Sequence, residues 1–221
     1  LVFVTTNGWR MTPERAAALM DAGCWGVSVS IDYADPAQHD AARGREGAWR
    51  RAWRAVEMLD AARRHAWQRV NVMSVLLHDN LDDLPALAER AHRHRAYFMV
   101  QPYGQSKTGQ AAWAHRDGPV APRLLALRRR HANVLSNPQY LRRFDQFLAG
   151  GVPGCRAGRA FFNIDSIGDV ALCVEQKHRP VANIFRDAPG TIHRRLRAAA
   201  RHNRCRACWY RSEERTSELQ S

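Results

Sequence analysis

Four short runs of β-branched and apolar residues, each followed by a helical stretch, dominate the first hundred positions. They are Leu1 to Thr5, "WGVSVSID" from Trp25, "QRVNVMSVLL" from Gln68 and "AYFMVQPY" from Ala96. Between the first two runs, Thr12 is placed to cap a helix, Pro13 suits its first position, and Gly23 suits the residue past its end. Between the next two, Trp49, Trp53, Val56 and Leu59 recur at helical spacing. Asn80 reads as the N-cap of a third helix, with Asp82 and Asp83 favouring the positive end of its dipole. Strands joined by connections of this length pair in parallel, because an antiparallel pair needs only a tight turn. The pattern predicts four parallel strands near 1–5, 26–31, 69–76 and 96–101, adjacent in chain order with helices on one face.

Beyond residue 102 the alternation stops. Residues 103–120 are polar and glycine-rich and read as a loop, followed by short helices near 121–133 and 137–148. "AGGVPG" at 149–154 marks a boundary. A hairpin is expected next, with strands 160–166 and 170–174 about a turn at Ser166–Asp169. A last helix at about 190–202 leads to Cys205.

The chain has 221 residues and a formal net charge of +13. No stretch approaches the roughly twenty apolar residues of a membrane span, and the first residues lack the pattern of a secretory signal. The charge does not imply nucleic-acid binding. Only Lys107 and Lys177 are lysines, and the arginines are spread over several helices rather than gathered on one.

Four of the five cysteines, Cys155, Cys173, Cys205 and Cys208, lie in the last third of the chain. Cys24, in a helix-to-strand turn, reads as a small buried apolar residue. Disulfides fit poorly, since nothing points to export, and a cytoplasmic protein is expected. Cys205-x-x-Cys208 lets two thiolates face one metal centre, and the hairpin offers Cys155 and Cys173 as a second pair. Such a four-thiolate set suits zinc and a [4Fe–4S] cluster equally.

The neighbouring residues carry a resemblance. From Cys155 the chain runs twelve residues to Gly168, then "GDVALC" to Cys173, with "ANI" at 182–184 and a later Cys-x-x-Cys. This resembles the SPASM/twitch auxiliary-cluster domain of radical SAM enzymes. "TTNGWRM", "GVSVSIDYADPAQHDAARG", "VMSVLLHDNLDDL" and "FMVQPYG" resemble, in order, the third to sixth strand regions of a radical SAM barrel. The resemblance implies an α/β fold: the second half of a partial (β/α)6 barrel over 1–148, with a helical connector at 121–148. A small C-terminal α+β cysteine-ligated cluster domain would follow over 149–210.

The resemblance also implies chemistry. A reduced [4Fe–4S] cluster passes an electron to S-adenosylmethionine, and the 5′-deoxyadenosyl radical so formed takes hydrogen from a peptide or other substrate. A reducing electron donor is then a partner, while neither nucleic acid nor membrane is. Ser30 and Arg43 would hold the S-adenosylmethionine carboxylate, with Ser28 and Asp32 beside them at the carboxyl end of the second run. Asn7 would face the cofactor or form the turn with Gly8, and Gln101, with Tyr103 beside it, would line the adenine or substrate side. Cys155, Cys173, Cys205 and Cys208 would hold an auxiliary [4Fe–4S] cluster, sheltered by Phe161, Phe162, Trp209 and Tyr210.

Two family segments, Cys-x3-Cys-x2-Cys and Gly-Gly-Glu, are not in this sequence. The chain is therefore expected to be an N-terminally truncated piece, inactive by itself. Residues 211–221, "RSEERTSELQS", share no style with what precedes them and are expected to be a non-native tail. A zinc-stapled α/β binding module without catalysis and an arginine-rich RNA-binding protein are the competing readings.

Overall fold

The computed structural model describes residues 1–104, 109–151 and 154–205. They fall into two compact units, one of Leu1–Tyr103 with Gln110–Leu148 and one holding the described residues from Ala149 onward. In the first unit, β1 (Phe3–Thr6), β2 (Gly26–Ser30), β3 (Arg69–Leu76) and β4 (Tyr97–Pro102) form one sheet in that order, all parallel. This is the order and direction that the βα alternation predicts.

The connecting helices follow local chemistry. In α1 (Pro13–Asp21) the Thr12 hydroxyl accepts from the Arg15 N–H, and Pro13 takes the first turn. In α2 (Pro36–Arg43) Asp35 caps the Gln38 N–H at 2.8 Å, and left-handed Gly44 ends the helix. Asp35-Pro36 at one end and Gly44 at the other are standard start and stop signals for a helix. Asp40 of α2 then accepts from the N–H groups of Gly47 and Trp49, which fixes the start of α3 (Ala48–Ala62). α3 buries Trp53, Val56 and Leu59, as their spacing predicts.

Residues paired in a parallel register share a face. One face of the sheet carries Val27, Val29, Ile31, Val70, Val72, Leu76, Phe98 and Val100, all at most 2% exposed. α3 and α4 (Leu84–Arg93) pack on the sheet and cover this face. Burying each such side chain contributes about 1.5–3 kcal/mol. The outer edge of β4 is sealed by the segment 133–136. Phe98 N–H donates to the Asn133 carbonyl, Leu135 N–H to the Phe98 carbonyl, and Val100 N–H to the Ser136 hydroxyl.

Helices Ala121–Arg130, Pro138–Arg142 and Phe144–Leu148 complete the unit. The single helix expected over 137–148 is broken at Arg143, and Tyr140, Phe144 and Phe147 pack their rings together across the break.

In the second unit, β5 (Asn163–Ile164), β6 (Asp169–Ala171) and β7 (Ala182–Asn183) form an antiparallel sheet. The expected hairpin is present, with its turn one residue earlier: the Gly168 N–H donates to the Asp165 carbonyl. "ANI" supplies the third strand. A helix over Pro189–Arg201 closes a core of Ala157, Val170, Leu172, Cys173, Ala182, Leu196 and Ala200.

Gly8, between β1 and α1, has φ +74°, and a Cβ there would lie 2.9 Å from the Ala55 Cβ on α3. Gly23 has φ +77° with nothing within 4 Å of such a Cβ. Gly8→Ala is expected to cost about 2–4 kcal/mol and Gly23→Ala only about 1 kcal/mol. Urea unfolding of both variants checks this. Equal losses would mean that the Gly8 contact with α3 contributes nothing.

Candidate functional site

The opposite face of the sheet differs in character. Thr5, Ser28, Ser30, Asn71, Met73, Met99 and Gln101 share it, and Ser30, Met73, Met99 and Gln101 are partly exposed. Ser30 and Gln101 thus stand on one open, polar face, on strands separated by β3. Ser28 stands on the same face but is fully buried, and its hydroxyl accepts from Asn71 Nδ2 at 3.3 Å. Asn7 turns its side chain back on the chain, with Oδ1 accepting from the Trp9 N–H.

Asp32, two residues past β2, is the centre of the site. It is 6% exposed. Its Oδ2 accepts from Arg43 at 2.5 Å and its Oδ1 from the Val75 N–H at 2.9 Å. Burial pushes the Asp32 carboxyl upward, and the Arg43 charge and the Val75 N–H pull it partly back. Arg43 uses one terminal nitrogen for this bond, so the remainder of its five-donor fork stays available. With Thr6, Asn7, Arg10 and His39, it lines a cleft of about 510 Å³.

Two residues hold Asp32 by its backbone. His39, 1% exposed, accepts the Asp32 N–H on Nδ1 at 3.3 Å. Asn80 donates from Nδ2 to the carbonyls of Asp32 and Val75, and its Oδ1 accepts from the Leu77 N–H. The expected side-chain N-cap at Asn80 is corrected here. Its amide is spent on joining the ends of β2 and β3, and a 3₁₀ turn, Leu81–Asp83, leads into α4 instead. His39 escaped sequence reasoning because no second histidine or cysteine stands at ligand spacing from it.

In the second unit, Cys173 is 8% exposed. Burial raises its thiol most. The Gln176 and Glu175 N–H groups lower it, and the nearby Cys155 and Cys205 raise it further. Cys155 and Cys205 therefore each lie within electrostatic reach of Cys173. Cys155 Sγ also accepts from the Ala157 N–H at 3.4 Å. Sulfurs that receive backbone N–H groups in a sheltered pocket suit a thiolate-held metal or cluster. Among the described residues no three ligands close tightly enough to hold a metal ion. Cys208 lies outside the described residues, as do Trp209, Tyr210 and the tail at 211–221. Phe161 packs against the core, but Phe162 is 52% exposed and so does not provide the shelter expected of it.

An open polar sheet face beside a charged strand-end cleft, in a parallel α/β unit, is the arrangement in which such units bind ligands at strand carboxyl ends. Residues 1–91 match the Radical SAM superfamily. It is 31% identical over 176 residues to mycofactocin maturase MftC of Mycobacterium ulcerans, covering 76% of this chain and 46% of that protein. The corresponding protein of Mycobacterium tuberculosis is 28% identical over 220 residues, covering 92% of this chain and 55% of that one. The chain spans about half the length of these curated relatives. Among solved structures, Streptococcus suis SuiB bound to precursor peptide SuiA matches with a TM-score of 0.57 at 14% identity. That match covers 84% of this chain and 45% of that one and supports the fold. No helix among the described residues is long and apolar enough to cross a membrane.

The His39 imidazole is pulled down to about 4 from an ordinary 6.5, first by burial and then by the Arg43 charge. The unfolded chain therefore takes up this proton first as pH falls. The His39 contribution is complete above pH 6.5 and is lost on the way down to pH 4, by up to about 3 kcal/mol. Asp32 acts in the opposite sense at the acid end, because its raised carboxyl binds a proton earlier in the folded chain. His39→Gln should flatten the stability loss between pH 7 and 5 in urea unfolding. An unchanged slope would show that His39 does not titrate in this way.

Proposed function

We propose that this chain is part of a radical SAM enzyme that modifies a peptide. The observation that carries the reading is the Arg43–Asp32 pair at the carboxyl end of β2, opening on the polar sheet face within the matched segment. The free part of the Arg43 fork receives the S-adenosylmethionine carboxylate, and Ser30 assists from the sheet face. A planar guanidinium suits a carboxylate because two parallel N–H bonds fix both distance and angle. His39 and Asn80 keep Asp32, and through it Arg43, in place. Neutral His39 can do this because its Nδ1 must keep a lone pair for the Asp32 N–H. When bound, S-adenosylmethionine and a reduced cluster supply a 5′-deoxyadenosyl radical. The Met73 and Met99 side chains on the open face limit water near it.

Cys155, Cys173, Cys205 and Cys208 form the ligand set of an auxiliary [4Fe–4S] cluster in a SPASM/twitch-like unit. The N–H groups directed at Cys173 and Cys155 support this, since such bonds stabilise thiolates. A peptide substrate is favoured because the relatives include maturases and a structural neighbour is bound to a precursor peptide. The cytoplasm is the compartment proposed, where thiolate ligands persist, and none of the described cysteines is in a disulfide.

Two measurements test these assignments. After anaerobic reconstitution, the chain should hold about four iron atoms, and Cys173→Ala should lose nearly all of them. One zinc per chain and no iron would favour the zinc-stapled module instead. Arg43→Lys keeps a charge on Asp32 but lacks the fork, so calorimetric S-adenosylmethionine affinity should fall about tenfold with little change in melting temperature. Equal affinity would remove Arg43 from the carboxylate site.

A further inference from the structure

A second cleft, of about 590 Å³, lies between the β1–α1 turn and α3, outside the site described above. Its walls carry Arg50, Arg51, Arg54 and Arg90 against one carboxylate, Glu57. Arg50 and Arg54 stand one helical turn apart, are exposed, and pair with no acid among the described residues. Arg51 leans over Trp9, with its guanidinium carbon 4.4 Å from the ring centroid and a bond to the Trp9 carbonyl. Arg90 lies over Trp49 and Trp53, at 4.2 and 4.8 Å, and burial pulls its guanidinium below the ordinary range. Trp49 Nε1, Trp53 Nε1 and Arg90 Nε are buried donors with no acceptor among the described residues. The cleft therefore offers an excess of positive charge. At Trp9 it adjoins the cleft lined by Arg43.

We propose that this groove docks an acidic peptide segment, with Arg50 and Arg54 pairing its carboxylates and Trp9 and Trp49 covering its apolar side chains. Charge complementarity selects the acid. Met11 and Met58 also line the groove and call for apolar side chains, which a sugar–phosphate chain lacks. Because the groove meets the Arg43 cleft at Trp9, the docked segment belongs to the peptide that is modified, and this identification rests on the function proposed above. Docking itself is read without turnover, iron or S-adenosylmethionine, so its failure and the failure of that reading are separable.

The test uses fluorescence anisotropy with a labelled decapeptide of alternating Glu and Leu. Controls are the same peptide with Gln for Glu, one with Lys for Glu, and a decauridylate. The acidic peptide should bind at least about tenfold more tightly than the Gln peptide. The double variant Arg50→Glu/Arg54→Glu should lose that preference and gain affinity for the Lys peptide. Arg50→Gln/Arg54→Gln, which adds no charge, should lose it without gaining the Lys peptide, and it serves if the reversed pair does not fold. Equal binding of the acidic and Gln peptides, tighter binding of decauridylate, or unchanged acidic-peptide affinity in a folded variant would each overturn the proposal.

Discussion

A carboxylate buried at the end of a strand must be compensated, and at Asp32 four partners from three elements share that task. α2 supplies Arg43 to the side chain and His39 to the backbone N–H. β3 supplies the Val75 N–H, and the turn after it supplies Asn80 to the carbonyl. Each partner alone is an ordinary hydrogen bond. Together they fix where α2 lies, how the β2 and β3 ends are joined, and where the Arg43 fork points. Removing one partner leaves a buried polar group unpaired, which costs more than the bond itself contributes. The loops of the site are thus held by the same residues that give it charge.

The sheet was legible because its signals are local and periodic. Strand-forming runs and capped helices lie within a few residues of one another, and parallel order follows from connection length. α2 was missed although Asp35, Pro36 and Gly44 announce it, because the segment has little apolar periodicity. Asn80 shows the opposite failure. An Asn before acidic residues is a strong capping signal, yet its amide serves carbonyls five and forty-eight residues away. That role depends on β2 and β3 being neighbours, which no local pattern states. Of the candidate residues, Ser30, Arg43 and Gln101 sit where a ligand can reach, while Ser28 is covered.

The two units use different devices against the same difficulty of a small core. The first buries one complete sheet face beneath helices. The second has strands of two or three residues and a core of seven mostly small side chains. So small a core gives limited stability by itself, which is the situation in which the proposed thiolate ligation would contribute most.

The sealed outer edge of β4 carries a consequence for association. Phe98 presents neither a free amide nor a free carbonyl there, and Val100 is engaged at both, by the Ser136 and Tyr140 hydroxyls. A passing extended chain finds no ladder to join on that flank. Edge-to-edge growth, the common route from a folded sheet to an aggregate, is blocked on this side by three residues of loop and one tyrosine.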